Sequence, residues 1–284
     1  MIDAGLWSDA RRRFAVNRAA LIALLVFTVL VLATLIGPSI SPNEFDHLDW
    51  GHVAMPPGAD QSHWFGTDRL GRDLFVRTFA GARVSLAIGL IATAVSVGVG
   101  VLYGSICGYL GGRVDQIMMR FIEVLSGLPL IFFVIFLTVI FGRNLFLLFA
   151  SIGAVGWLTM ARIVRGQTLS IRQKEFIEAA VASGAGTPRI LFKHILPNLI
   201  GPVIVYATLT IPQVILFESF LSFLGLGVQE PRASLGTLIA EGAAEMESAA
   251  WMLLIPGGFL TVLLLCLNVV GDGLRDAIGE PGAA

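Results

Sequence analysis

Arg172–Asn198, RQKEFIEAAVASGAGTPRILFKHILPN, is the stretch on which the fold turns. It is polar, holds both lysines of the chain, Lys174 and Lys193, and separates two uncharged apolar runs. From Gln173 to Ser183 good helix formers dominate, with Phe176, Ile177, Ala180 and Val181 spaced along one helical face. Gly184 stands where a helix end needs a residue free to take positive φ. Thr187-Pro188 predicts a second helix: the threonine hydroxyl caps its exposed N–H groups, and the proline sits in the first turn, where a missing donor is harmless. Pro197 is expected to limit that helix, because an internal proline removes a backbone hydrogen bond. The pattern is a hinged pair of short helices held at both ends by membrane-grade segments.

Outward from this stretch the chain is apolar. Of 284 residues, 56% are hydrophobic and 14% charged, with mean hydropathy +0.82 and net charge −1. Soluble domains carry about a quarter charged residues. The composition therefore predicts an all-α polytopic membrane protein with six transmembrane helices, lipid around it and no nucleic-acid partner. Cys107 and Cys266 lie in apolar runs and read as small hydrophobes. His47, His52, His63 and His194 show no metal-ligand spacing, and no metal or other cofactor is expected.

In chain order, 1–18 is a basic N-terminal segment, 19–38 the first transmembrane helix, and 39–82 an outer loop with a surface helix. Residues 83–272 form a core of five transmembrane helices that includes the loop at 172–198, and 273–284 is a short tail. Within the core, the second span runs from Val84 to Gly112 and the third from Val124 to Gly142. Arg143 and Asn144 make an outer turn, and Leu145 to Ala161 returns. Ile195 to Phe217 is the fifth span, interrupted by Pro202 and Pro212, which need neighbouring helices to satisfy the freed carbonyls. Gln229 to Glu247 reads as an acidic outer loop and Ser248 to Gly271 as the sixth span. Lys and Arg divide 13 against 6 in favour of the side holding both termini and the central loop. The positive-inside rule places that side in the cytosol.

Three further features are candidates for function. Gly100, Gly104 and Gly108 recur every fourth residue in an uncharged run, a stripe that lets another helix approach closely, although glycine is also common in membrane helices. Glu218 lies about 34 Å along its span at ~1.5 Å per residue, which reaches the far interface. It is read as a solvated or locally paired carboxylate, or as a group at the outer mouth of a pathway. Asp68, Arg69, Arg72 and Asp73 read either as a capped surface helix with local ion pairs, Thr67 or Asp68 supplying the cap, or as a catalytic cluster. No GxxxxGK[ST] phosphate loop, HExxH, CxxC or GxSxG is present. The predicted span interiors hold no Asp, Glu, Lys, Arg or His, groups that ion-coupled carriers need at depth. A non-catalytic pore driven by another subunit fits these observations; a stand-alone channel and a membrane scaffold are the alternatives.

The central stretch resembles the EAA loop of ABC importer permeases. Glu178-Ala179-Ala180, three residues, Gly184, nine residues and a segment ending Leu196-Pro197 follow the pattern E-A-A-x3-G-x9-I-x-L-P, with His194 at the isoleucine position. HWFGTDRLGRDLFVR, GYLGGRVDQIMMR, ARIVRGQTLS, ESFLSFLGLGVQEP and GDGLRDA are similar to the dipeptide/oligopeptide/nickel permease family, most like C-type permease subunits of oligopeptide importers. The tail departs at Gly279-Glu280-Pro281, where the family commonly has Asp-Pro. The resemblance implies a type I ABC importer permease fold in a bacterial cytoplasmic (inner) membrane, with both termini cytosolic. It implies three kinds of protein partner: a homologous second permease forming a heterodimer, two cytosolic ATP-binding subunits, and an extracytoplasmic peptide-binding protein. It assigns Glu178, Ala179, Ala180, Gly184, Leu196 and Pro197 to coupling with the ATPase. Dipeptides, glutathione, nickel chelates and other small solutes such as opines are alternative cargoes.

Overall fold

The computed structural model describes residues 4–141 and 145–279. The expected turn at Arg143 and Asn144 and the departure at Glu280-Pro281 lie outside them. The described residues hold eleven α-helices and no strand beyond an isolated bridge between Thr67 and Asp73. The basic N-terminal segment is itself helical, α1 (Ala4–Val16), and leads into α2 (Arg18–Ile40), where the Asn17 side chain accepts from Ala20 N. After a long loop come α3 (Leu74–Leu110), α4 (Gly112–Ser126), α5 (Leu130–Phe141) and α6 (Leu145–Arg172). The central stretch gives α7 (Glu175–Ala182) and α8 (Thr187–Ile190), and the chain closes with α9 (Leu196–Phe223), α10 (Leu235–Ala244) and α11 (Trp251–Ile278). Four stretches are long and apolar enough to cross a bilayer: Arg18–Ile40, Leu74–Leu110, Thr187–Phe223 and Trp251–Ile278. A fifth is counted if α4 and α5 form one broken crossing, since α4 meets the Ile131–Leu137 part of α5 at 82°.

Packing orders these helices into a bundle with two ends. At one, the hinge end, Gly273 of α11 lies against Ala20 and Phe14, Gly201 of α9 against Ile278, and the Arg13 guanidinium donates to Gly279 O at 3.1 Å. At the other, the loop end, Gly37 of α2 lies against Phe79 and Gly81 of α3 against the start of α10. Residues with outward apolar side chains, such as Leu25, Val29, Leu90, Phe136, Leu254 and Leu265, form the surface suited to lipid.

Several boundaries differ from the sequence expectation. The surface helix and the second span are one helix, α3, because nothing between Leu74 and Leu110 breaks the backbone ladder. Its cap is Asp73, whose Oδ1 accepts from Val76 N at 2.8 Å, rather than Thr67 or Asp68. The expected third span is divided at Pro129: Val124–Ser126 belong to the amphipathic α4, and α5 starts at Leu130. The acidic outer loop contains α10, capped by a reciprocal Ser234–Thr237 box that strengthens its first turn. The sixth span continues as α11 to Ile278, well into the expected tail.

At the loop end, three of the four charged residues read as a surface helix, Asp68, Arg72 and Asp73, are buried, and Arg69 is exposed. Asp68 Oδ2 accepts from Arg72 Nε at 2.6 Å and pairs with Arg77 Nε at 3.4 Å, while Asp68 Oδ1 accepts from Leu70 N and Arg72 N. The pairs are not merely local. Arg77 Nη2 donates to Glu241 of α10 at 3.2 Å, and Arg72 Nη1 donates to Glu230 at 3.2 Å. Arg77 is fully enclosed, with Phe45 over its guanidinium at 5.4 Å. Burial pulls the Arg72 pKa down, but the Asp68 hydrogen bond and the charges of Asp68 and Glu241 outweigh it, so the net shift is upward. This clasp ties the loop to α3 and α10. Asp68→Ala leaves two arginines short of a partner and is expected to destabilise the fold by about 3–5 kcal/mol. Thermal unfolding of the detergent-solubilised protein measures it.

Candidate functional site

The hinge-end segment is built from local rules. α7 ends in a Schellman arrangement: Ala185 N donates to Ala180 O at 3.0 Å and Gly184 N to Val181 O at 2.9 Å. Gly184 takes φ +79°, and a Cβ there would meet nothing within 4 Å, so backbone conformation and not space requires glycine. α8 starts differently from the expectation. Gly186 is its N-cap, no side chain caps it, and Thr187 is already helical. Nor does Pro197 end the second helix. Leu191–Ile195 form a π-turn in which Leu196 N donates to Leu191 O, and the rod continues into α9 with Pro197 in its first turn. A widened turn accommodates a proline that offers no N–H and crowds the preceding turn. The Asn198 side chain donates to His194 O at 2.6 Å, supplying a further donor to that turn.

One face of this segment is anchored and the other is free. Ile177, Ile190 and Ile195 are buried against Met160, Val164 and Ile171 of α6 and Leu199 of α9. Burying each isoleucine contributes about 1.5–3 kcal/mol. Phe176, Glu178, Ala179, Val181, Gly184 and Phe192 are exposed, and Ala180, Leu196 and Pro197 are half-buried. The segment therefore brings Glu178, Ala179 and Gly184 to one surface, while Leu196 and Pro197 belong to the root of the α9 rod.

The glycine stripe of α3 faces α6. A Cβ on Gly100 would lie 2.6 Å from Met160 Cβ, one on Gly104 would press on Ala161 O and lie 2.9 Å from Val164 Cβ, and one on Gly108 would lie 2.8 Å from Arg165 O. The approach is mutual, since Gly153 and Gly156 of α6 sit against Val95 and Ser96 of α3. Near the hinge end Arg165 adds a bidentate pair to Asp115 of α4, at 2.5 and 2.6 Å.

Glu218 lies near the loop end of α9, as its distance along the span implies, but it is not solvated. It is fully enclosed and accepts from Ser85 Oγ of α3 at 3.1 Å and from Ser222 Oγ at 2.6 Å. Ser85 Oγ in turn accepts from Leu235 N, at the start of α10. The carboxylate thus joins α3, α9 and α10 through hydroxyls, without a cation. Burial inside three helices is possible because α9 extends to Phe223 and α10 folds back over it. Sequence reading also missed a cleft of ≈ 160 Å³ between α6 and α9, lined by residues including Thr159, Thr210, Gln213 and Phe217. The legible signal was Gln213, an amide inside an apolar run beside Pro212.

Residues 100–280 match the family described as binding-protein-dependent transport system inner membrane component. The chain belongs to this family. Residues 5–57 match the N-terminal transmembrane domain of oligopeptide transport permease C. The oligopeptide transport system permease protein OppC of Escherichia coli (strain K12) is 54% identical over 273 residues, covering 96% of this chain and 90% of the relative. OppC of Haemophilus influenzae is 50% identical over 273 residues, covering 96% and 88%. The dipeptide transport system permease protein DppC of Bacillus subtilis (strain 168) is 46% identical over 271 residues, covering 95% and 84%. Among solved structures, an inward-facing MetNI methionine ABC transporter matches with TM-score 0.60 at 20% identity, covering 73% of this chain and 97% of that one. This last likeness is one of fold. The family resemblance read from the EAA pattern and its companion motifs is borne out, and the chain is a multi-pass inner membrane component with the type I importer permease fold.

Two substitutions in this inner membrane component separate close packing from mere glycine content. Gly104→Ile is expected to lower stability by about 1–3 kcal/mol through overpacking, whereas Gly98→Ala, at a position where a Cβ meets nothing within 4 Å, is expected to be neutral or slightly stabilising. Thermal unfolding of both variants gives the comparison. At the hinge, Gly184→Ala places an L-residue at positive φ for about 1–2 kcal/mol. Opening of the α7 end, read from amide exchange at Gly184 and Ala185, is expected to rise about 5- to 30-fold, and less in Gly184→Asn.

Proposed function

We propose that this chain is the permease subunit of an ATP-driven ABC importer of oligopeptides, supplying half of the translocation path. The observation that carries the coupling role is the two-sided geometry of α7. Its buried face is seated through Ile177 in an apolar cluster with Met160, Val164 and Ile171 of α6 and Ile190 of α8, and its exposed face carries Phe176, Glu178, Ala179 and Val181. A force applied there reaches two long helices with no slack segment between. Rigid-body motion of α6 and of the α8–α9 rod then opens and closes the path.

In this proposal the hinge end faces the cytosol, in line with the Lys and Arg excess, and six crossings arise when α5 and α6 are counted with the four long apolar helices. Two ATP-binding subunits grip the paired α7 helices of this chain and a homologous second permease. An extracytoplasmic peptide-binding protein delivers cargo to the loop end. The chain performs no hydrolysis; its work is mechanical. The cleft carrying Thr159, Thr210 and Gln213 offers neutral hydrogen-bonding groups to a peptide backbone, and Glu218 fastens helices at the loop end instead of lining the mouth. Oligopeptide cargo is favoured by the 50–54% identity to OppC proteins, and dipeptide cargo is the second reading, favoured by the 46% identity to DppC.

The test uses the complete complex in proteoliposomes. Ala179→Asp puts a charge on the exposed face without touching the isoleucine anchor. It is expected to lower ATP-dependent peptide uptake at least about tenfold, a coupling loss of roughly 1.4 kcal/mol or more, while insertion and thermal stability hold. Wild-type uptake with normal stimulation of ATP hydrolysis in this variant would refute the docking role. Competition by dipeptides against longer peptides separates the two cargo readings.

A further inference from the structure

We infer that Asp49, His52 and His63, in the loop between α2 and α3, form a binding site for a divalent transition metal of the zinc class. The site is independent of the transport reading. His52 and His63 show no ligand spacing in sequence, but folding brings their rings to 5.7 Å between centroids. One ligand atom from each of the three residues lies within 4.8 Å of the others. The Asp49 carboxylate is oriented for it. Oδ1 accepts from Gly51 N at 3.0 Å, which leaves Oδ2 facing His52 Nδ1 at 2.8 Å and His63 Nε2 at 3.9 Å. The Asp49 backbone also lies close to Gly71, at φ +75°, where a Cβ would overlap the Asp49 carbonyl.

The second observation comes from His63, which is only 3% exposed. Its Nδ1 is 2.8 Å from Asp73 Oδ2, within the structure that caps α3, and Asn43 Nδ2 donates to the same oxygen at 3.0 Å. With Nδ1–H given to Asp73, a neutral His63 turns the Nε2 lone pair toward the Asp49 oxygen. The buried Nε2 then stands 3.9 Å from the partly exposed Asp49 Oδ2, which His52 Nδ1 also faces, and a cation would replace these contacts with three ligand bonds. A carboxylate holding the far nitrogen of a ligating histidine is the support that metal sites use to fix tautomer and ring orientation. Two imidazoles and one carboxylate select zinc-class ions over magnesium or calcium, which prefer all-oxygen shells. Tetrahedral coordination at about 2.0–2.2 Å requires the three atoms to draw closer than they stand. The side chains of His52 and Asp49 are 44% and 32% exposed and have room to do so. Occupancy would pin the 49–52 turn to the start of α3.

The experiment strips the full purified chain with chelator and titrates it with Zn²⁺ by calorimetry, with Co²⁺ absorption as the spectroscopic check of geometry. Wild type is expected to bind one Zn²⁺ at this site and to gain thermal stability from it. His52→Ala and His63→Gln are each expected to weaken binding at least tenfold, and His47→Ala, at an exposed histidine of the same loop, to leave it unchanged. Should His63→Gln fail to fold, the half-exposed His52→Ala still decides. Absence of saturable Zn²⁺ binding by wild type, or equal binding by His52→Ala, overturns the site and leaves a hydrogen-bonded loop only.

Discussion

The contact on which the bundle depends is the close approach of α3 and α6. Glycines on each helix admit the other's backbone, so two rods lie nearer than side chains would allow. In a bilayer no hydrophobic force separates helix from lipid, and such surface-to-surface packing supplies much of the cohesion. It also explains why α6 is stiff where it matters. Its hinge-end half, against Gly100 to Gly108, is the half that seats Ile177 and Ile190 through Met160, Val164 and Ile171. The loop end is held by different chemistry. There buried charges and hydroxyls join α3, α9 and α10, through Arg77 with Glu241 and through Glu218 with Ser85. One end is fastened by polar groups whose partners are far apart in sequence, and the other is a jointed apolar seat.

Much of this was legible because it is local. Gly184 announces a helix end by its own backbone freedom, and the EAA spacing identified the family from a single stretch. The glycine stripe announced a packing face but not its partner, since nothing in α3 names α6. The misreadings have physical causes. Asp68 and Arg72 look like a solvated i,i+4 pair, and only the fold-back of α10 buries them. Glu218 looks interfacial by distance along its span, and the same fold-back encloses it. Thr187 has the chemistry of a cap, but the backbone already turns helical at that residue, leaving the role to Gly186. Pro197 looks like a terminator because sequence rules assume α geometry, whereas a π-turn absorbs it.

The bundle is thus asymmetric in how readily its two ends yield. Charged and hydroxyl pairs at the loop end require several groups to separate together. The hinge end exposes α7 on one side and links it to α6 through two residues and to the α8–α9 rod through four. In the proposed coupling, a partner pressing on that face would meet a helix seated on α6 through Ile177.

The π-turn at Leu191–Ile195 has a bearing on how the chain tolerates change. Each α-helical residue advances about 100° around the axis. The wide turn sets the azimuth at which Ile190 and the α7 pad meet α6, relative to the faces of α9. Losing or gaining one residue there would swing the pad by roughly that angle while leaving every span intact. Length in this short collar is therefore phase, as tooth alignment is in a gear train, and indels here are far more disruptive than their size suggests.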